Sequence, residues 1–310
     1  MFNPTLLGTF RFGYTRPVGQ TVSRSLVDFP TRYFVPGATQ FPQIFHASLT
    51  PFGPTTNNPE HTNMQSFQFA GDLLTRVGKH ALKIGAETHR YQWQMASSIN
   101  RAGVWRFSGL EHFLRAGAGG GVTAFVALPG SDNTKDLRQT LIGGYIQDGF
   151  SISERFQVNA GVRYEFATLI HDMQGRTAFM PDVWHDPEVQ VGALLDHNPS
   201  KGGISPRLSL TWSPFGGRGT VVRAGAGIYY DQVLAYALDT LKNGAPFNRS
   251  VFRTAFDASP YFPDIEKAVT DLPNLPGQRL PLQAHVMDYH DFTDRSEEHT
   301  SELQSRGLIS

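Results

Sequence analysis

The segment "FQVNAGVRYEF", residues 156–166, alternates apolar and polar side chains without a break. Successive side chains of a strand point to opposite faces of its sheet, so Phe156, Val158 and Val162 share one face, and Arg163 lies on the other. A soluble sheet would bury the apolar face in a protein core. A membrane barrel would turn that face toward lipid and leave the polar face in a wet interior. The alternation predicts a β-strand in one of these two environments.

Eight segments combine alternation with β-branched or aromatic residues. They are residues 6–14, 64–76, 80–93, 138–152, 156–168, 205–212 and 220–231, and a last segment that begins near His285. Short turns near Val77, Ser153 and Ser213 separate long excursions over 15–63, 94–137, 169–204 and 232–284. Bacterial outer-membrane barrels have tight periplasmic turns and long extracellular loops. We therefore predict an all-β fold, a transmembrane antiparallel β-barrel of which the chain holds about eight strands.

Strand parity divides the side chains of this predicted barrel into two sets. The set assigned to the lumen is Arg11, Lys83, Glu87, His89, Arg163, Glu165, Arg207 and Arg223. The set assigned to lipid is Phe156, Val158, Val162, Leu208, Leu210 and Ile228. We interpret the lumen set as a hydrated wall whose charges pair with one another or with a plug, and a substrate path is the alternative.

Aromatic residues gather at the predicted strand ends, as two interfacial girdles would. They are Tyr14, Tyr91, Trp93, Tyr164, Phe166, Tyr229 and Tyr230 on the loop side, and Phe150, Phe156 and Trp212 on the turn side.

Composition excludes several other classes of protein. The 27 basic and 27 acidic residues balance, so we expect no nucleic-acid partner. The absence of cysteine excludes a disulfide framework, a zinc-thiolate site and a thiol nucleophile. No run approaches the roughly 18 apolar residues of a spanning helix.

Three groups of residues have ligand-type side chains. They are His285 with Asp288, His290 and Asp291; His171 with Asp172; and His185 with Asp186. Divalent metal sites need three or four convergent groups, so we interpret these residues as solvated loop residues. We expect no metal, no cofactor and no catalytic residue.

The last stretch, "RSEEHTSELQS" from Arg295, is polar and unlike the rest of the chain. Its back-translation resembles a common sequencing adapter read in frame. We therefore predict a barrel domain over residues 1–294 and a non-native tail over 295–310.

Four segments occur in order on predicted turns and strands: "GKHALKIGAETHR", "YIQDGFSISERFQVNAGVRYE", "ISPRLSLTWSPFG" and "TVVRAGAGIYYD". Together they resemble the barrel of TonB-dependent outer-membrane receptors of the Oar-like type, whose members often carry a carboxypeptidase-regulatory-like domain and a plug. The resemblance implies a non-enzymatic transporter in the outer membrane of a Gram-negative-type bacterium. Its partners would be outer-membrane lipid, the TonB complex acting through the plug, and a substrate recognised by the long loops.

The chain departs from that family in having no segment that resembles the plug, the TonB-contacting box or a signal peptide. We therefore expect it to be a fragment of a larger barrel. A secreted soluble β-sandwich, either an adhesin or a carbohydrate-binding module, is the alternative, and it would pair the apolar faces of two sheets. A barrel hydrolase is a third class, for which Ser209 and His89 are the formal candidates.

Overall fold

The structure is a computed structural model that describes residues 5–24, 26–56, 60–97, 100–179, 185, 190–192, 198–215, 219–230 and 246–275. The predicted strand near His285, the ligand-type residues His285, Asp288, His290 and Asp291, and the tail over 295–310 lie outside these residues. Asp186 also lies outside them.

Seven of the predicted strands form, and they lie side by side in one antiparallel sheet, in the same order as they occur along the chain. These long strands are β1 (Leu6–Thr15), β5 (Glu60–Val77), β6 (His80–Ser97), β9 (Lys135–Ser153), β10 (Phe156–Ala167), β14 (Ile204–Trp212) and β15 (Val222–Gly227). Short turns join β5 to β6 and β9 to β10 at one end of the sheet, the turn side, as the sequence predicts, and β14 ends and β15 begins at that same side. The sheet is not closed, so β1 and β15 are its edges among the described residues. The all-β antiparallel fold is confirmed.

Strand β15 ends earlier than predicted, at Gly227 instead of Asp231. The next residue, Ile228, still donates its amide hydrogen to the carbonyl of Pro206 at 3.0 Å. Pro206 has no amide hydrogen to return, so the ladder between β14 and β15 stops there.

The strand registers give the sheet one polar and one apolar face, because directly paired residues project to the same side. Arg11 pairs with Ala70, Ala70 with Glu87, Glu87 with Gly143, and Gly143 with Glu165, which makes one row across the polar face.

The apolar face carries large exposed side chains. Val162 is 45% exposed, Ile146 opposite it is 52% exposed, and Leu208 on β14 is 54% exposed. The main buried hydrophobic cluster of the described residues contains none of them. A β-sandwich would enclose these side chains between two sheets, and no second sheet in the described part of the chain does so.

Asp148 is a carboxylate on this apolar face. It pairs in register with Leu82 and Ala160, and no bulge resets the ladder beside it. Its Oδ2 lies 2.6 Å from Nδ1 of His80, whose ring stacks on Phe150 near the turn. The charge is therefore partnered within the apolar face.

The long excursions contain further elements that sequence periodicity did not indicate. These are β2 (Val18–Thr21), β3 (Gln43–His46), β4 (Leu49–Phe52), β7 (Val104–Phe107), α1 (Leu110–Leu114), β8 (Val122–Ala127), β11 (His171–Asp172), β12 (Ala178–Phe179), β13 (Gln190–Val191), β16 (Ser250–Phe256) and α2 (Ile265–Asp271), with 3-10 turns at Thr31–Tyr33, Pro199–Gly202 and Leu272–Asn274. The described helices are all too short or too polar to traverse a bilayer.

Three of the excursions assemble into one folded unit, here called the loop unit. Its five-stranded sheet has the order β16-β8-β7-β3-β4, and β3 pairs with β7 in parallel. Trp105, Val122 and Val251 lie in its core with Ile265 and Leu272 from the helical segment, and all are almost fully buried. The main hydrophobic core of the described residues therefore lies in the loop unit, not in the long sheet.

The loop end of the polar face is covered. Every second residue of β9 from Lys135 to Gly143 is buried, whereas Gln147 and Ser151 nearer the turn are exposed. Gln139 donates to the carbonyl of Thr168 at 3.4 Å, and the ammonium of Lys135 lies 4.8 Å from the ring centre of Phe247.

Candidate functional site on the polar face

The carboxylate of Asp72 on β5 interacts with one side chain from each of three other strands. Nη2 of Arg11 lies 2.7 Å from its Oδ2, and Nζ of Lys83 lies 4.0 Å from its Oδ1. The hydroxyl of Tyr145 donates to the same Oδ1. Strands β1, β5, β6 and β9 are thereby joined through one carboxylate.

Arg163 on β10 is the centre of a second set of ion pairs. Its Nη2 contacts Oε1 of Glu87 on β6, and it lies 2.7 Å from Oε1 of Glu165. His89 lies beside Glu87, with 3.8 Å between Nε2 and Oε2. The ring of Tyr145 joins the two sets, since the ammonium of Lys83 lies 5.2 Å from its centre and the guanidinium of Arg163 lies 6.0 Å from it.

Two glycines make room for this network. A β-carbon on Gly85 would overlap the ring of Tyr145 and the carboxylate of Asp72. A β-carbon on Gly143 would lie 3.0 Å from Nη2 of Arg163. The "KIGAE" and "IGGY" segments thus place a glycine beside each of the large side chains Tyr145 and Arg163.

The residues assigned to the lumen all project to the polar face. Arg11, Lys83, Glu87, His89, Arg163 and Glu165 belong to the network, which carries three basic and three acidic side chains besides His89. Arg207 and Arg223 do not belong to it. Arg207 lies 4.5 Å over the ring of Tyr229, and Arg223 is exposed opposite Thr211.

The residues assigned to lipid share the apolar face. Phe156 pairs with Trp212, Val158 with Leu210, and Leu208 with Ala160. Val162 lies on the same face, and Ile228 directly follows β15 and is 49% exposed. That the medium on this side is lipid stays a prediction.

Part of the predicted aromatic girdle is wrong. Tyr91 and Trp93 pair with Gln139 and Leu137, so they project to the polar face and cannot face lipid with the apolar residues. Tyr229 lies under Arg207 of the polar face. Their positions along the strands have the same parity as the polar set. The girdle was predicted from the aromatic type of these residues, without regard to that parity.

The formal hydrolase pair is not brought together. Ser209 pairs with Asn159 and shares a row with Gly149 and Ala81, whereas His89 lies eight residues farther along β6, about 26 Å away along the strand. Ser209 instead accepts a hydrogen bond from Asn159 at 3.4 Å.

Asp172 is not the solvated loop residue that the sequence indicated. It is completely buried, and its carboxylate accepts amide hydrogens from Asp136, Gln174 and Arg176 at 2.9 to 3.2 Å. Acceptance of three backbone donors explains how a carboxylate is held inside the loops. Within the described residues, no three acidic or histidine side chains converge as a metal site would require.

Near Asp172, an ion pair between Arg176 and Asp132 connects the same two loops. Burial acts to raise the pKa of Asp132, but hydrogen bonds from Thr134 and the charge of Arg176 bring it below its usual value.

Sequence reasoning missed Asp72 and Tyr145, although they are central to the network. Both lie on strands that alternation identified, and both have the parity of the polar set. Their partners are 61 and 73 residues away in sequence, so only the register of the strands could have revealed the contact.

The chain has also been compared with known proteins. A family model described as "Outer membrane beta barrel domain" matches residues 1–296. Neither the curated proteins nor the solved structures provide a significant match. The match spans nearly all of a chain whose sheet has one apolar and one polar face, so this protein belongs to the outer membrane beta barrel domain family and is located in the outer membrane.

Proposed function

We propose that this outer-membrane protein is a TonB-dependent transporter or receptor of the Oar-like type, without enzymatic activity. Its loops recognise a substrate that is then moved past the polar face. Energy comes from the TonB complex through a plug domain. Outer-membrane lipid surrounds the apolar face, and nucleic acid is not a partner.

The lengths of the strands support a spanning orientation. Strands β5, β6 and β9 have 18, 18 and 19 residues, whereas about 11 tilted residues cross a bilayer. We assign the residues nearest the turns to the membrane, for instance 80–90 in β6 and 143–153 in β9. The loop ends of these strands then project beyond the outer surface.

The polar network is consistent with the lining of a hydrated lumen. Its three cations are matched by three carboxylates, so the centre of the face attracts neither sign of charge strongly. A bulky substrate or a plug can therefore move along this face without being bound tightly by an excess of either charge.

The covered loop end of the polar face is the observation that carries the proposal. Lys135, Leu137, Gln139 and Leu141 on that face are buried, and Phe247 of the 232–284 excursion lies over Lys135, whereas Gln147 and Ser151 toward the turn are exposed. A permanently open pore would leave both ends accessible to water. A covered entrance needs a gate, and a gate that must be moved fits a transporter driven by energy from the inner membrane.

A single cysteine under the cover tests this proposal, because the natural chain has none. In cells grown in complex medium, Gln139→Cys should react with a membrane-impermeant maleimide faster when TonB is present than when it is absent. The control is Leu114→Cys, which replaces a side chain that is 72% exposed in the loop unit and should react equally in both strains. Equal labelling of Gln139→Cys with and without TonB would refute energised gating.

A further inference from the structure

The turn side of the polar face carries arginines that have no acidic partner among the residues the structure describes. Arg76 pairs in register with Ala81, Arg223 with Thr211, and Arg155 lies in the turn between β9 and β10. All three are exposed, and none contacts a carboxylate of the described residues. They differ in this from Arg11 and Arg163, which form ion pairs with Asp72 and Glu87.

A cleft of about 710 Å³ opens beside Arg155 at the turn side, and Thr211, the register partner of Arg223, also lines it. Lys79 and Arg155 line it, together with the hydroxyl and amide groups of Ser151, Gln157, Thr211 and Ser213. Glu154 is the acidic residue of its lining, and Ile152 and Phe156 contribute its apolar part. The cleft therefore offers hydrogen-bond donors, hydrogen-bond acceptors and an excess of positive charge, which suit a carboxylate on a peptide backbone.

The spacing of the arginines matches an extended chain. Arg76 on β5 and Arg223 on β15 are separated by five steps between neighbouring strands, about 24 Å in all, and Arg155 lies between them. An extended peptide covers that distance with about seven residues. Acidic side chains placed along such a segment could reach all three guanidinium groups.

The position of the arginines also decides which kind of anion can approach. Arg76 and Arg223 project to the polar face, away from the exposed apolar face that includes Val162 and Leu208. Lipid headgroups surround the apolar side of a barrel, so they would not meet these side chains. Since short turns lie on the periplasmic side, the partner comes from the periplasm.

We propose that the turn-side surface formed by Arg76, Lys79, Arg155 and Arg223 binds an extended acidic peptide segment of about seven residues at the periplasmic mouth of the barrel. The proposal uses the outer-membrane location but not TonB-driven transport. It can therefore fail or succeed independently of the gating experiment.

The test uses opened outer membranes that contain the protein, from cells lacking TonB. A fluorescent eight-residue peptide of alternating glutamate and serine should bind, and the corresponding glutamine–serine peptide should not. The triple variant Arg76→Gln, Arg155→Gln, Arg223→Gln should weaken binding by about tenfold, as the loss of three exposed ion pairs implies. The matched control Arg24→Gln, Arg101→Gln, Arg115→Gln removes the same charge from the loop side and should change binding by less than about twofold.

A charge reversal shows whether the altered surface is still folded. The variant Arg76→Glu, Arg155→Glu, Arg223→Glu should bind a lysine–serine peptide that the natural protein does not bind. Three results would overturn the proposal: no binding of the acidic peptide, equal weakening by both triple glutamine variants, or displacement of the peptide by phosphatidylglycerol vesicles, which would make the surface a lipid site. Failure of the charge reversal to recruit the lysine peptide would also count against it.

Discussion

The ring of Tyr145 occupies the space that a β-carbon on Gly85 would need. The two residues face each other on β9 and β6, and the position lets the Tyr145 hydroxyl reach Asp72 one strand farther on. A missing side chain on one strand thus permits an ion-pair network that spans five strands.

Replacing Gly85 by alanine should force Tyr145 out of this space and separate it from Asp72. We expect a loss of about 1–3 kcal/mol of stability, the usual cost of overpacking. The measurement is the temperature at which the membrane-embedded protein loses its resistance to unfolding in SDS. Gly144→Ala is the matched control, because a β-carbon there would meet its nearest neighbour, the carbonyl oxygen of Gly85, at an ordinary 3.8 Å. Equal effects of the two changes would contradict the role of Tyr145.

Replacing Arg163 by methionine should leave Glu87 and Glu165 facing each other without a cation. Because these carboxylates are only 35% and 17% exposed, we expect a loss of about 1–3 kcal/mol. Adding Glu87→Gln should restore part of the stability by removing one charge. A double-mutant cycle should give a coupling of at least about 0.5 kcal/mol. Strict additivity would show that the ion pair is not formed.

Lys135 gives a prediction about pH. It lies at the loop end of β9, outside the residues assigned to the membrane, and it is 1% exposed with no hydrogen-bond partner for its ammonium among the described residues. Burial lowers its pKa from 10.5 to about 8, so the folded protein holds this proton more weakly than the unfolded chain does. The unfolded chain binds more protons between these values, and stability should therefore rise from pH 8 toward 10.5.

Lys135→Met should remove this dependence, because methionine has no charge to bury. At pH 7 it should stabilise the loop unit by up to about 3 kcal/mol. Hydrogen exchange of the β8 and β16 amides at pH 7 and pH 9 provides the measurement. A methionine variant that is less stable than the natural protein at pH 7 would mean that the ammonium has a partner that stabilises it.

The long strands and their two faces follow from local sequence, since alternation over eight or more residues has a period of two, which is the period of a strand. The polar and apolar sets could be assigned from parity before any contact was known. The contacts could not, because Arg11 and Asp72 meet only through a register set by pairing across 61 residues.

The loop unit was not predicted, for a different reason. Its strands β3, β4 and β7 have four residues each, which is too short for a period to be recognised. Strand β7 also comes from a different excursion than β3 and β4, and it pairs with β3 in parallel, so no hairpin turn marks that contact. Its core forms only when these excursions meet.

The central question is which medium covers the apolar face. Neighbouring residues on β10 and β14 answer it, because Val158 and Leu208 project to the apolar face and Asn159 and Ser209 to the polar face. Single cysteines at Val158 and Leu208 should react with a lipid-soluble probe and be protected from a water-soluble maleimide, in outer membranes that contain the protein. Cysteines at Asn159 and Ser209 should show the reverse. If Val158→Cys and Leu208→Cys react with neither reagent, the apolar face is enclosed by protein, and the barrel assignment of this face is wrong.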